Sequence, residues 1–247
     1  MNRHARFLSF FVLFLCCTLL FSSLFRTVDS HLFLSQTNVR ESTSPVVLLD
    51  AGHGGEDGGA TGSNGVLEKE LNLSLTRTLA DLLRAAGYTV IETRTDDRLL
   101  YDEGTQKGHK KQGDLVNRLK FTQSYPDSIF ISIHMNTFPT PDCKGTQIWY
   151  SQNNEESKEW ANTVQNTVKQ VLQPNNNRKI KAATSSIYLL RHAQTPAILI
   201  ECGFLSTPTE CERLCDETYQ KALAVTLFTA ISEKMQRQSC KDAENTV

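Results

Sequence analysis

Four residues carry types and spacings that can do chemistry: His53, Glu68, His134 and Glu201. Two imidazoles and one carboxylate form a common catalytic zinc set, with a fourth position left to water. A further carboxylate beside such a set serves as a general acid or base. His53 lies in Asp50-Ala51-Gly52-His53-Gly54-Gly55, just past an apolar run. His134 closes the run Ile129–Ile133, and Glu201 follows Ile198-Leu199-Ile200. All three thus fall where strands end, and open α/β sheets bind ligands beyond the carboxyl ends of their strands. Glu68 stands three residues before Leu71, so it shares the inward face of the helix that begins there. Each residue taken alone has a plainer role. His53 suits a turn, His134 a hydrogen-bonded strand end, Glu68 the positive end of a helix dipole, and Glu201 an ion pair with an arginine such as Arg191. Four ionisable groups aimed together at core ends need a joint reason, because unpaired buried charge is costly. One bound metal ion supplies it. The glycine-rich loop after Asp50 carries neither GxGxxG nor GxxxxGK[ST], so a phosphate cradle is disfavoured.

The elements that must position these groups follow from the hydrophobic pattern. Val46–Asp50 reads as a buried strand. Leu71, Leu75, Leu79, Leu82, Leu83 and Ala86 recur at helical spacing, and Gly87 stops that helix. Tyr88–Thr93 reads as a strand, 96–113 as a polar loop, and Leu115–Phe121 as a short helix. Ser128–His134 and Gly145–Tyr150 read as strands and Glu155–Leu172 as a helix. Ser186–Arg191 and Pro196–Cys202 read as two more strands, and Tyr219–Met235 as the last helix. Strands alternating with helices predict a single-domain α/β fold, with a mostly parallel, twisted sheet and helices on both faces.

The ends of the chain bound where it acts. Arg3, His4 and Arg6 precede Phe7–Phe25, 19 residues without a charge. Such a run reads as a signal peptide or an uncleaved membrane anchor, and either takes the domain out of the cytoplasm. Residues 1–30 are therefore read as a targeting segment, 31–44 as a linker, 45–237 as the catalytic domain and 238–247 as a tail. Residues 1–30 hold three arginines and one aspartate, leaving 23 basic and 26 acidic groups in the rest. That balance speaks against a nucleic-acid partner. Beyond the apolar run lie Cys143, Cys202, Cys211, Cys215 and Cys240. An odd number does not describe a closed disulfide framework, so buried or tolerated thiols are expected.

At four ordered blocks the chain closely resembles the zinc-type N-acetylmuramoyl-L-alanine amidase family. The blocks are Val47–Gly55, Leu67–Leu73, Ile131–Asn136 and Ile198–Ser206. The likeness covers roughly Val46 to Met235. It implies one Zn2+ held by His53, Glu68 and His134, with Glu201 catalytic. It also implies hydrolysis of the amide between the lactyl group of N-acetylmuramic acid and L-alanine in peptidoglycan. Ala51 stands where proline is common in the family, and Cys202 where an aliphatic residue is common; neither is a ligand. Within the family, the Ser132–Pro139 segment, the short chain and the N-terminus look most like the sporulation enzymes. That implies spore-cortex processing leading to muramic lactam. Some relatives carry an inserted helix that plugs the site, but only ten residues separate His134 from Gly145. With no appended wall-binding module, a membrane location or a helper protein is expected to confine the activity.

Two substrate contacts are expected besides. Asn136, two residues past His134, can orient substrate. Arg191, at the end of its own expected strand, can hold a carboxylate or a developing oxyanion. Lys107, Lys110 and Lys111 read as a solvated loop, and His109 and His192 as solvent-facing. Another zinc hydrolase of wall material, a peptidase or a deacetylase, fits the same residues. A non-catalytic wall-binding module would need none of them.

Overall fold

The computed structural model describes residues 46–140 and 142–244. The expected targeting segment and linker, residues 1–44, lie outside the described residues. Among those described, no helix is long and apolar enough to cross a membrane.

Six strands form one sheet: β1 (Val46–Ala51), β2 (Val90–Glu92), β3 (Ser128–Asn136), β4 (Gln147–Tyr150), β5 (Lys181–Ala182) and β6 (Ala197–Phe204). Their order is β2-β1-β3-β6-β4-β5. The pairs β1–β2, β1–β3 and β3–β6 are parallel, β4 runs antiparallel to β6, and β5 is parallel to β4. The central strands are apolar throughout because both faces are covered. Val47, Leu49, Ile131, Ile133, Ile198 and Ile200 pack on helices α1 (Glu68–Ala85), α3 (Glu156–Val171) and α6 (Glu217–Glu244). Leu48, Phe130 and Leu199 face the other way, onto α2 (Lys110–Gln123) and α4 (Tyr188–His192). The α/β sheet with helices on both faces is thus present as the sequence pattern predicts.

Helix α1 shows why the pattern is readable. Leu71, Leu75, Leu79 and Leu83 recur every four residues and are all buried. Gly87 ends it at a φ of 87°, a conformation that favours glycine, and the Tyr88 amide folds back to the Leu83 carbonyl at 3.1 Å.

Four expectations are corrected. Ser186–Arg191 is not a strand: its apolar residues form the short helix α4, with the Arg191 and Ala193 amides bonded to carbonyls four residues back. Helix α2 begins at Lys110 rather than Leu115, inside the expected polar loop. An unexpected helix, α5 (Pro208–Cys215), carries Cys211 and Cys215. Finally, α6 continues to Glu244, so the tail expected from residue 238 is largely helix. The five cysteines of the described chain are all free.

Candidate metal centre

The loop after β1 is built to present His53. The His53 backbone has a φ of 62°, unusual for a residue with a side chain. Three buried side chains hold it there. Arg118 Nη2 donates to the His53 carbonyl at 2.7 Å and Nη1 to the Ala51 carbonyl at 2.9 Å. Arg94 donates to the carbonyls of Ala51 (2.8 Å) and Gly52 (3.0 Å). Asn72 Nδ2 donates to the Gly52 carbonyl at 3.1 Å. Glycine is required at 52, where a Cβ would lie 2.2 Å from the His134 ring, and at 59, where one would lie 2.5 Å from Glu68 Oε2.

This scaffold brings three of the four expected residues into one cluster. Nε2 of His53 lies 3.2 Å from Glu68 Oε2, and Nδ1 of His134 lies 2.9 Å from Glu68 Oε1. One ligand atom from each residue falls within 4.8 Å of the others. The two imidazole rings meet edge to face with centroids 5.0 Å apart. Glu68 is buried, and its oxygens accept hydrogen bonds from the Ala60 amide (2.8 Å) and the Met135 amide (3.1 Å). His53 Nδ1 is bonded to Asp57 Oδ2 at 2.8 Å, which frees Nε2 toward the cluster. A carboxylate on the far nitrogen is the usual support for a metal-binding histidine. The donor set fits a divalent cation that accepts nitrogen and oxygen, and the site can hold one.

Charge inside the cluster is strongly coupled. Burial disfavours a charged Glu68, but hydrogen bonds and charge from His134 and His53 outweigh it and hold the carboxyl well below the usual range. Burial likewise opposes a charged His53, but Glu68 and Asp57 raise its pKa.

Glu201 is the register partner of His134 across β3 and β6, so the two side chains share a face of the sheet about 4.8 Å apart at the backbone. Its Oε2 is sealed from solvent and meets no hydrogen-bond donor among the described residues. Burial, only partly offset by the neighbouring histidines, pushes its pKa up to about 7. An orphaned buried oxygen in a folded protein calls for an explanation, and a reactive role is one.

Asn136 ends β3 on the same side, with its Oδ1 accepting from the Thr137 amide at 2.8 Å. Arg191 does not join it. The carbonyls of Arg191 and Ala193 accept from Asn153, which follows β4 where that strand reaches the amino end of β6. Arg191 is exposed there, at the opposite end of the sheet from Glu201, because its segment is helical and precedes β6. It neither reaches the cluster nor pairs with Glu201. Lys110 and Lys111 belong to α2 and reach Glu56 (2.6 Å) and Asp57 (3.1 Å). His109 and His192 are exposed, as expected.

Sequence reasoning missed the polar floor beneath the site. Asp50 is fully buried and accepts from Arg118, Thr93 (2.7 Å) and Ser132 (2.6 Å), while Arg118 Nε also reaches Asp114 at 2.8 Å. One signal was present: Asp114 and Arg118 stand at i, i+4 on the helical face that also carries Leu115.

A family model of N-acetylmuramoyl-L-alanine amidases matches residues 47–233. The chain belongs to the N-acetylmuramoyl-L-alanine amidase family. The amidase is 34% identical over 233 residues to the germination-specific N-acetylmuramoyl-L-alanine amidase of Bacillus subtilis (strain 168), covering 94% of this chain and 95% of the relative. It shares its fold with the CwlD amidase from Clostridioides difficile, solved in complex with the GerS lipoprotein. That likeness has a TM-score of 0.74 at 37% identity over 78% of this chain and 98% of the other. An N-acetylmuramoyl-L-alanine amidase from Clostridium difficile 630 matches with a TM-score of 0.67 at 31% identity, covering 77% and 96%. The amidase is accordingly a hydrolase of peptidoglycan.

Proposed function

We propose that the amidase uses one zinc ion, held by His53, Glu68 and His134, and that Glu201 is its acid–base group. The observation that supports this is the His–Glu–His cluster beside Glu201 on the adjoining strand, whose Oε2 is buried and unpartnered among the described residues. Zinc, when bound, supplies Lewis acidity that polarises a carbonyl and makes a water acidic near neutral pH. The chain's own groups do the rest. Asp57 fixes the ring of His53, and the amides of Ala60 and Met135 fix Glu68. Glu201, with a pKa of about 7, takes the proton of the attacking water and passes it to the departing alanine amine. Asn136, beside this row, orients the substrate.

The biological setting we propose is spore-cortex processing that leads to muramic lactam, in line with the germination-specific relative. The related CwlD amidase was solved with a lipoprotein, which supports a helper protein for this chain too. The action is extracytoplasmic, and the apolar run Phe7–Phe25 tethers or exports the domain.

Residues 31–247 with added zinc, set against His134→Ala, give the test on purified peptidoglycan. Release of peptide stems with a new alanine amine and intact sugar acetyl groups, lost on chelation and in the variant, supports the proposal. Products with cleaved stems or free sugar amines would instead assign a peptidase or a deacetylase.

A further inference from the structure

A cavity of about 660 Å³ opens beside the catalytic row without including it. In the antiparallel pair β4–β6, Gln147 is the register partner of Glu201. Gly145, in the cavity wall, therefore lies two residues beyond that pair, toward the carboxyl end of β6. One strand spacing and two residues of rise put it about 8 Å from Glu201, backbone to backbone.

The wall is preformed. Gly145 has a φ of 86°, and a Cβ there would meet the Asn176 side chain at 2.9 Å. Asn176 Nδ2 donates to the Thr146 carbonyl and to Gln173 Oε1, both at 2.8 Å, and Gln173 Nε2 donates to Thr146 Oγ1 at 2.9 Å. The cavity is thus fixed by buried amides rather than by movable surface chains.

Its charges are unequally used. Lys144, Arg178 and Arg213 line it against Asp142 and Glu210. Glu210 is committed: Oε2 accepts from the amides of Gly145 (2.8 Å) and Phe204 (3.3 Å), and Oε1 faces Arg213 at 3.5 Å. Arg178 is half-buried and makes no ion pair among the described residues. Its guanidinium lies over the Phe204 ring at 4.3 Å. Nε donates to the Lys144 carbonyl at 2.7 Å and Nη1 to Gln147 Oε1 at 3.2 Å, which leaves Nη2 without a partner among the described residues. A half-buried cation without a counter-ion is costly, and the planar arginine fork matches a carboxylate. Through Gln147, Arg178 also touches the row His134–Glu201–Gln147 that crosses β3, β6 and β4 on one face.

We infer that this cavity is the subsite for a carboxylate of the peptide stem, bound by Arg178 with Lys144 at the rim. The inference rests on the amidase reading and adds where the leaving half of the substrate lies. An extended peptide spans about 3.3–3.6 Å per residue, so the cavity lies two or three residues from the scissile amide.

The test uses the full chain and two synthetic muramoyl-L-alanyl tetrapeptides, one with free carboxyl groups and one with every carboxyl amidated. The unaltered enzyme is expected to favour the free form by about 10–100-fold in kcat/KM, the worth of one charge-assisted hydrogen bond. Arg178→Gln should erase that preference by raising KM for the free form. Lys144→Ala, at an exposed position, should lower the preference severalfold. Equal slowing of both substrates by Arg178→Gln, or no preference in the unaltered enzyme, would overturn the subsite. Calorimetry of the free tetrapeptide and its amidated twin gives a readout that needs no turnover. Selective binding of the free form, lost in Arg178→Gln, supports the subsite even if neither muramoyl substrate is cleaved, in which case the amidase mechanism alone falls. Equal binding of the twins would overturn the subsite while leaving that mechanism standing.

Discussion

Asp50 and Glu201 flank β3 near the same end of the sheet, Asp50 fully buried and Glu201 half-buried with its Oε2 sealed from solvent, yet they meet opposite fates. Burial pushes the Asp50 carboxyl up, but the charge of Arg118 and the hydroxyls of Ser132 and Thr93 outweigh it and hold the pKa at about 2. Burial pushes Glu201 up as well, and nothing comparable answers it, so its pKa rises to about 7. Both present a carboxylate oxygen sealed from water; the partners differ. Where the fold needs a floor, it surrounds the carboxylate with donors. At Glu201, the proposed acid–base group, it leaves one oxygen bare and able to take a proton.

The contrast can be broken most directly at Glu201. Glu201→Gln should cut stem release by about 10²–10⁴-fold, while the melting temperature of the metal-free protein at pH 8 stays level or rises. A drop of many degrees would place Glu201 with Asp50 as a structural group. Asp50→Asn should behave the other way, leaving buried Arg118 with one of its two carboxylate partners, Asp114. Denaturant unfolding should show a loss of about 3–5 kcal/mol; a loss below about 1 kcal/mol would mean the floor is not what supports the His53 loop.

The two carboxyls also predict opposite slopes of stability against pH. The folded pKa of Asp50 lies below its ordinary value of 3.8, so its contribution is present above pH 4 and disappears as pH falls through about 2. Glu201 is protonated in the metal-free fold up to about pH 7 but only to about 4.5 when unfolded, so stability declines as pH rises between those values. Metal-free melting curves from pH 2 to 8 should show both slopes, Asp50→Asn removing the acid one and Glu201→Gln the upper one. A bound divalent cation favours the charged form of Glu201. The acid limb of stem release should therefore fall at or below pH 7, and a limb above it would separate the base from Glu201.

The smallest effect belongs to the ligand side. Gly52→Ala would force the His134 ring to move, at a packing cost of about 1–3 kcal/mol. Displacing a supported ligand typically costs about 10–100-fold in metal affinity, which a chelator competition would measure. Unchanged affinity would show that the ring has room to yield.

The same contrast explains what could be read from the chain alone. His53, His134 and Glu201 were visible because each lies at or just past the end of an apolar-rich run, and Glu68 because the leucines of α1 fix its face. Asp50 looked like the polar end of a strand, since its partners lie 43, 68 and 82 residues away and pairing at that range leaves no local pattern. Arg118 sits in a helix of mixed polarity, where a charge normally faces water. Arg191 was misplaced for a related reason. Five apolar-rich residues can be a strand or one helical turn, and only packing against α2 decides it. Cavity residues such as Arg178 and Asn176 lie in a polar stretch whose meaning comes from β4, about thirty residues earlier.

The register of β3 with β6 has a consequence in time. The three candidate ligands are complete once the chain reaches residue 134, but Glu201 arrives 67 residues later, on a strand that slots between β3 and β4. A chain emerging from its N-terminus can assemble a metal-binding half before it owns a base. On the proposed role of Glu201, the site is complete only once β6 fills the central gap of the sheet.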